Sequence, residues 1–377
     1  MTKSEAKPWT AIGLMSGTSL DGIDAAVIAT DGTRVIFTGA SRTDPYPAPF
    51  RDRLRSLLGR APADADAETI RAFTRLNARA VDALIVDAGL PPEAVDVIGF
   101  HGQTVLHRPE DGVTVQIGDG ALLAAETGID VVADFRAADV TAGGEGAPFA
   151  PLYHAALAGD LEKPIAVLNV GGVANATWIG DGDDISAFDT GPGNALVDDW
   201  MRASAGLELD FGGTRAAAGR IDETVLADLL ANPYFHRPPP KSLDRDDFAG
   251  ALAMLDGLSI EDGAATLTAF TARSVALART AMPAPPTRWL VCGGGRRNPT
   301  LMAMLRDAVG APVDAVEAAG WNGDALEAQA FGFLAVRSLL GLPLSLPTTT
   351  GVDRPRTGGV LHRAPAHANR ANASKPS

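Results

Sequence analysis

With one cysteine in 377 residues the chain cannot form an internal disulfide. Cys292 lies in an apolar run, where a thiol behaves as a small hydrophobe, and a reducing, cytoplasmic setting is expected. Lysine is also scarce, with five in the whole sequence. None follows the glycine spacing GxxxxGK[ST], which excludes a P-loop of that type. The six histidines are scattered without HExxH-like spacing, so no structural zinc site is read. No apolar run is long enough to span a bilayer, and Met1–Thr10 lacks the hydrophobic segment of a signal peptide, so a soluble protein away from membranes is expected. A basic surface is missing too. The net charge of −14 argues against nonspecific nucleic-acid binding and leaves any anionic ligand to backbone dipoles, a metal or a few arginines.

A chain of this length holds two domains of ordinary size. Short strand-like runs (35–38, 95–101, 113–117, 131–133) alternate with helical patterns, the clearest being 66–88 before a Gly-Leu-Pro-Pro stop. Such alternation implies a mixed or parallel sheet covered by helices. The second half restarts the theme: a strand at 165–169, a turn at Gly171-Gly172, a returning strand at 174–179, then 186–188 and a helix at 195–205. Strand, glycine turn, strand near the start of both halves is the trace a duplication would leave. A seam is expected near Gly146–Pro151, loops at 211–219 and 238–240, and a disordered tail from Ala364.

The most informative stretch is Gly13–Asp24, GLMSGTSLDGID. Gly17, Thr18, Ser19 and Gly22 let a ligand approach the backbone, and Asp21 and Asp24 add carboxylates. Donors with a carboxylate at a hairpin tip suit a phosphate chain carrying a divalent cation, although Gly, Ser and Asp are also ordinary turn residues. Asp189 stands just past an apolar run and before Gly-Pro-Gly, where a carboxylate can face a cleft. It reads equally as a turn residue, with Asn194 the better helix cap. The turn Gly171-Gly172 with Asn175 reads as a hairpin or a second phosphate clamp. Gly293, Gly294 and Gly295 read as a strand–helix turn or a bed for a flat ring. His101, Gln103 and Thr104 follow a strand and can bond hydroxyls or an acetamido group. Arg136 can grip a carboxylate bidentately, or pair with Asp134 or Asp139.

The stretches GLMSGTSLDGID, HGQTVLHRP (101–109), LNVGGVANATWI (168–179), FDTGPGNALVDDW (188–200), VCGGGRRNPTLM (291–302) and GDALEAQAFGFLA (323–335) resemble, in order, the anhydro-N-acetylmuramic acid kinases. These belong to the sugar kinase, heat-shock chaperone and actin superfamily. The resemblance implies an α/β fold of duplicated actin-like (ribonuclease H-like) domains, mixed sheets flanked by helices, with an interdomain cleft. It places an N-terminal domain over 8–148, joined by a helix at about 324–341, a C-terminal domain over 149–363 and a tail from 364 to 377. It implies ATP with Mg2+, an anhydro amino sugar as substrate and a homodimer.

By resemblance Asp189 is the general base, assisted by Glu327. Residues Gly17, Thr18, Ser19, Leu20, Asp21, Gly22, Ile23 and Asp24 form the first ATP loop, with Gly171, Gly172 and Asn175 the second. Gly293, Gly294, Gly295 and Asn298 lie beside adenosine, and His101, Gln103, Thr104 and Arg136 meet the sugar. Metal ligands are left unassigned, as is the role of 241–247. One departure stands out: Asp119-Gly120 occupies the place where the resemblance leads one to expect Asn-Pro. Two rival readings are a kinase of another anhydro sugar, such as levoglucosan, and a non-catalytic nucleotide switch of the actin kind.

Overall fold

The computed structural model describes residues 7–17, 19–60, 66–182, 184–243 and 247–365. Thr18, residues 244–246 of the 241–247 segment and the tail from 366 lie outside the described residues. The chain forms two compact units. The first takes the residues up to Leu157, then Glu327–Leu346 and the residues from Val352 on; the second takes Ala158–Leu326 and Pro347–Gly351.

In the first unit, strands β1 (Trp9–Ser16), β2 (Gly22–Thr30) and β3 (Val35–Pro45) make an antiparallel meander. Strands β4 (Val97–Arg108) and β6 (Val131–Ala133) add on parallel to β1, and β5 (Val113–Ile117) pairs with β4. The last strand, β12 (Val360–His362), closes the far edge against β6. Residues 342–346 and 352–363, grouped by the sequence reading with the second half, thus lie with the first unit. β12 finds its hydrogen-bonding partner there.

The helix Ala67–Ala88 starts where Asp66 accepts from the Thr69 N–H and stops at left-handed Gly89. It buries Phe73, Val81, Leu84 and Ile85 against Ile12, Leu14, Ile98 and Phe100 on one face of the sheet. The other face is covered at backbone distance by the helix Leu326–Leu339, from Glu327 on. A Cβ at Gly13 would stand 1.7 Å from the Ala328 carbonyl oxygen, and one at Gly99 would stand 2.0 Å from that of Phe331. Only glycine admits this approach, and Gly13 and Gly99 are register partners across β1 and β4.

The second unit repeats the plan. Strands β7 (Ile165–Val170), β8 (Val173–Ile179) and β9 (Ile185–Pro192) form the meander; β10 (Arg288–Cys292) and β11 (Val313–Ala315) follow parallel to β7. The order β9-β8-β7-β10-β11 matches β3-β2-β1-β4-β6 in sequence and direction. The two units are therefore duplicated ribonuclease H-like sheets, as the resemblance implies. The helix Pro299–Val309 packs Leu301, Leu305 and Val309 on one face. The helix Ile260–Ala278 joins it on that face through Ala272, Val275 and Ala278, and its earlier part forms a separate helical core with Ala195–Ala205 and Glu223–Leu230. Within 211–219, read as loop, the chain instead forms a short 3-10 turn, Phe211–Gly213, and a helix, Thr214–Ala218. Asp210 accepts from the N–H groups of Arg215 and Ala216. Among the described residues no helix is long and apolar enough to cross a membrane.

The Asp119-Gly120 departure has a local explanation. Asp119 caps the helix Gly120–Thr127 by accepting from the Leu122 N–H at 2.9 Å. A Cβ at Gly120 would stand 2.5 Å from the His362 ring, so glycine here matches the packing of β12.

Two buried histidines, His101 and His154, and the half-buried His107 make folding pH-dependent. Burial lowers the pKa of His101 and His107, and brings His154 down to about 4 from an ordinary 6.5. Unfolding restores the ordinary value, so as pH falls the unfolded chain binds protons first. Their contribution is complete above 6.5 and shrinks below it; for His154 the loss runs from 6.5 to about 4. The thermal midpoint is expected to drop between pH 7 and pH 5, and a His154→Gln variant to show a shallower drop. A midpoint indifferent to pH over this range would contradict the buried neutral state.

Candidate functional site

Between β1 and β2, Gly17 and Leu20 meet across a turn. Leu20 adopts a left-handed φ of 58° and its N–H donates to Gly17 O at 3.1 Å, closing the turn. Ser19 and Asp21 are exposed, whereas Leu20 and Ile23 put their side chains in the core, so only their backbone is open to a ligand. Gly22 serves the fold, since its Cβ would strike Asp44 O at 2.4 Å. Asp24 accepts from Thr43 Oγ1 at 2.5 Å.

Along β4 and beyond, His101 and Arg136 form a pair. Arg136 Nε donates to His101 Nε2 at 3.0 Å; the imidazole is therefore neutral, with its proton on Nδ1 directed to Gly102 O at 2.8 Å. Burial, then the Arg136 charge, holds the His101 pKa well below its usual range. Arg136 also donates to Gly146 O at 2.6 Å and lies over the Phe149 ring at 5.4 Å. Burial lowers its pKa to about 10, opposed by the carboxylates of Glu327 and Asp139, so the guanidinium stays charged at neutral pH. Glu327 is exposed at the start of its helix, within the electrostatic reach of Arg136. The first unit thus gathers His101, Arg136 and Glu327. Thr104 lies nearby on β4, its Oγ1 accepting from Gln116 Nε2 at 3.2 Å. Gln103 is fully buried.

In the second unit Asp189 belongs to β9 and not to the loop after it, because β8 pairs on through Pro192, with a register shift between Ala174 and Asn175. Its carboxylate is half-buried, and Oδ2 accepts from the Leu243 N–H at 2.8 Å. The Asp189 N–H donates to Lys241 O at 3.0 Å, and Tyr234 Oη donates to Asp189 O at 2.6 Å. Asn175 is its register partner and shares its face of the sheet.

The 241–247 segment, assigned no role from the sequence, therefore supplies Asp189 with backbone contacts. The Lys241 ammonium is buried, donates to Tyr234 O at 3.1 Å and faces the Tyr234 ring at 4.4 Å. Burial and then Arg237 lower the Lys241 pKa, against the pull of Asp189. A lone lysine in a lysine-poor chain was the available signal.

The turn at Gly171-Gly172 is joined to the Asp-Thr-Gly-Pro-Gly-Asn run. The N–H groups of Gly193 and Asn194 donate to Gly172 O and Gly171 O at 2.9 and 2.8 Å. Asn194 is not the side-chain cap expected; its Nδ2 donates to Val170 O at 3.1 Å and ties the run to β7. Gly293, at φ 74°, packs against Asn169 and Val170, and Gly295 against the Val170 side chain. Asn298 caps the helix Pro299–Val309 through the Leu301 N–H. The second turn, Asp189 and the glycine triplet thus meet at one end of the second sheet.

The glycines separate into two kinds. Gly17, Gly171, Gly172 and Gly294 have no positive φ, and a Cβ on each would find its nearest neighbour at 3.5 to 3.8 Å. The fold itself does not require glycine there. Bare backbone without a local need is what close approach of a ligand demands. Among the described residues no group of three or more histidine, cysteine or carboxylate side chains is placed to hold a metal ion.

The chain matches the family model "Anhydro-N-acetylmuramic acid kinase" over residues 9–364. It is 57% identical over 364 residues to the anhydro-N-acetylmuramic acid kinase of Rhodospirillum rubrum, covering 96% of each chain. It is 56% identical over 356 residues to that of Acidiphilium cryptum, covering 94% of this chain and 98% of the other. Among solved structures, component A of the (R)-2-hydroxyglutaryl-CoA dehydratase of Acidaminococcus fermentans matches with a TM-score of 0.45 at 11% identity, covering 87% of this chain and 99% of that one. That likeness is too distant to bear on chemistry. With the family match spanning nearly the whole sequence, the chain belongs to the anhydro-N-acetylmuramic acid kinase family.

Proposed function

We propose that the protein is an ATP-dependent kinase that opens the ring of 1,6-anhydro-N-acetylmuramic acid and phosphorylates O6, giving N-acetylmuramic acid 6-phosphate in the cytoplasmic recycling of peptidoglycan. The observation that carries this reading is Asp189, an aspartate held at its backbone N–H, its backbone C=O and its Oδ2 beside a turn of bare glycines. Asp189 accepts the proton of a water molecule as the water oxygen bonds to C1. The C1–O6 bond breaks, and O6 bonds to the γ-phosphorus as the bond to ADP breaks. The phosphoryl group takes the place of the acid that a glycosidase uses on its leaving oxygen.

Gly17, Ser19 and Asp21 with the backbone of Leu20–Asp24, and Gly171, Gly172 and Asn175, hold the phosphates. Gly293–Gly295 and Asn298 border adenosine. Magnesium arrives with the phosphates and needs one or two protein carboxylates, for which the exposed Asp21 is suited. Thr104 and Glu327 face the sugar, Arg136 meets its lactyl carboxylate, and His101, buried with both ring nitrogens engaged, serves the sugar by holding Arg136 in place. A homodimer belongs to the same proposal and predicts twice the monomer mass in light scattering.

The test is a product assay with Mg-ATP and either the muramic anhydro sugar or levoglucosan. A 6-phosphate from the former supports the reading. Product from levoglucosan alone changes the substrate, and ATP binding without turnover favours a nucleotide switch. Arg136→Ala is expected to cost roughly a hundredfold in kcat/KM on the muramic sugar, the range of a lost charged hydrogen bond, and far less on a sugar without the lactyl acid. Equal losses on both would remove Arg136 from substrate recognition.

A further inference from the structure

The sequence reading puts Gln103 at the sugar, but its side chain is 0% exposed and its donors are already engaged. Gln103 Nε2 donates to Gly17 O at 3.3 Å and to Thr104 O at 3.1 Å. Its Oε1 accepts from Ser16 Oγ at 2.5 Å. The single Ser16 hydroxyl proton goes to Gln103, so the Tyr46 hydroxyl, 2.6 Å from Ser16 Oγ, is the donor in that contact. Burial raises the Tyr46 pKa and keeps the phenol protonated. The result is a directed chain, Tyr46 to Ser16 to Gln103 to Gly17, with all three side chains buried.

This chain ends on the turn between β1 and β2. Gly17 O accepts both from Gln103 and from the Leu20 N–H. At the other end of the turn the Tyr46 backbone N–H donates to Asp21 O at 3.4 Å. Tyr46 therefore holds the turn at Asp21 directly and at Gly17 through two side chains. A turn fixed in its binding shape loses little entropy when a ligand arrives, whereas a slack one must be ordered.

We propose that Gln103, Ser16 and Tyr46 form a buried strut that positions the Gly17–Asp24 turn and so sets the affinity for Mg-ATP, with no part in sugar recognition. The proposal rests on reading that turn as the first phosphate loop. Gln103 and Tyr46 are positioning residues: they act on the nucleotide through the backbone of the turn.

Steady-state kinetics with each substrate varied in turn tests it. Gln103→Leu is expected to raise KM for Mg-ATP roughly tenfold, as for one buried hydrogen bond lost, and to leave KM for the anhydro sugar within about twofold. Tyr46→Phe, which removes one oxygen, shifts the same constant in the same direction by less. Should Gln103→Leu fail to fold, Ser16→Ala and Tyr46→Phe carry the test. A raised sugar KM with an unmoved ATP KM returns Gln103 to the sugar and overturns the strut, as does a lowered kcat with both KM values unchanged. Gly17→Ala separates the two levels, since its methyl has room in the fold. An ATP KM that ignores Gly17→Ala removes the phosphate-loop reading and the strut with it. An ATP KM that responds to Gly17→Ala but not to the strut variants removes the strut alone.

Discussion

Asp189→Asn is expected to lower kcat by about a thousandfold, within the range that general-base removal produces, while the protein stays folded and binds ATP. The asparagine oxygen can still accept from the Leu243 N–H, and the backbone bonds to Lys241 and Tyr234 do not involve the side chain. What is lost is the ability to take a proton from water. A product assay beside a thermal melt and an ATP titration separates these effects. Turnover within about tenfold of wild type would end the assignment, because no positioned base is worth so little.

The second large effect concerns the fold. Gly99→Ala places a methyl 2.0 Å from Phe331 O, with the Phe331 carbonyl carbon at 2.6 Å. Backbone cannot turn aside as a flexible side chain can, so the helix Leu326–Leu339 must lift from β1 and β4. The expected cost is more than about 3 kcal/mol, the upper end for overpacking. It is read as a fall in the denaturation midpoint or loss of soluble protein. Glu327 starts that helix, so any folded remainder is expected to be weak in catalysis as well. A near-wild-type midpoint would show that the helix and sheet stand further apart than described.

Local pattern made part of this legible in the sequence. The helix Ala67–Ala88 shows its apolar spacing, its Asp66 cap and its Gly89 stop within one continuous stretch. The two meanders declare themselves by apolar runs around glycine turns. The Asp189 run was readable because small residues and a carboxylate cluster in six positions. What escaped depended on distance or on backbone direction. Leu20 and Ile23 look like loop residues in the sequence but point inward, since a left-handed φ at Leu20 reverses the chain. The continuation of β9 through Pro192 needs a register shift that no propensity announces. Gln103 sits among plausible sugar ligands, and only its partners at Ser16 and Gly17, over eighty residues earlier, show where it is used.

The glycine seam also bears on the order in which the molecule is made. The first sheet needs a covering helix that begins its contribution at Glu327 and an edge strand at Val360–His362, both far behind the rest of that unit in the chain. During synthesis the N-terminal strands emerge with the face around Gly13 and Gly99 uncovered and the β6 edge unpaired. Most of the second unit, an unbroken run from Ala158 to Leu326, leaves the ribosome before either is available. The half translated first is thus the half completed last, and its exposed face and edge are where a nascent chain of this protein needs protection by a chaperone.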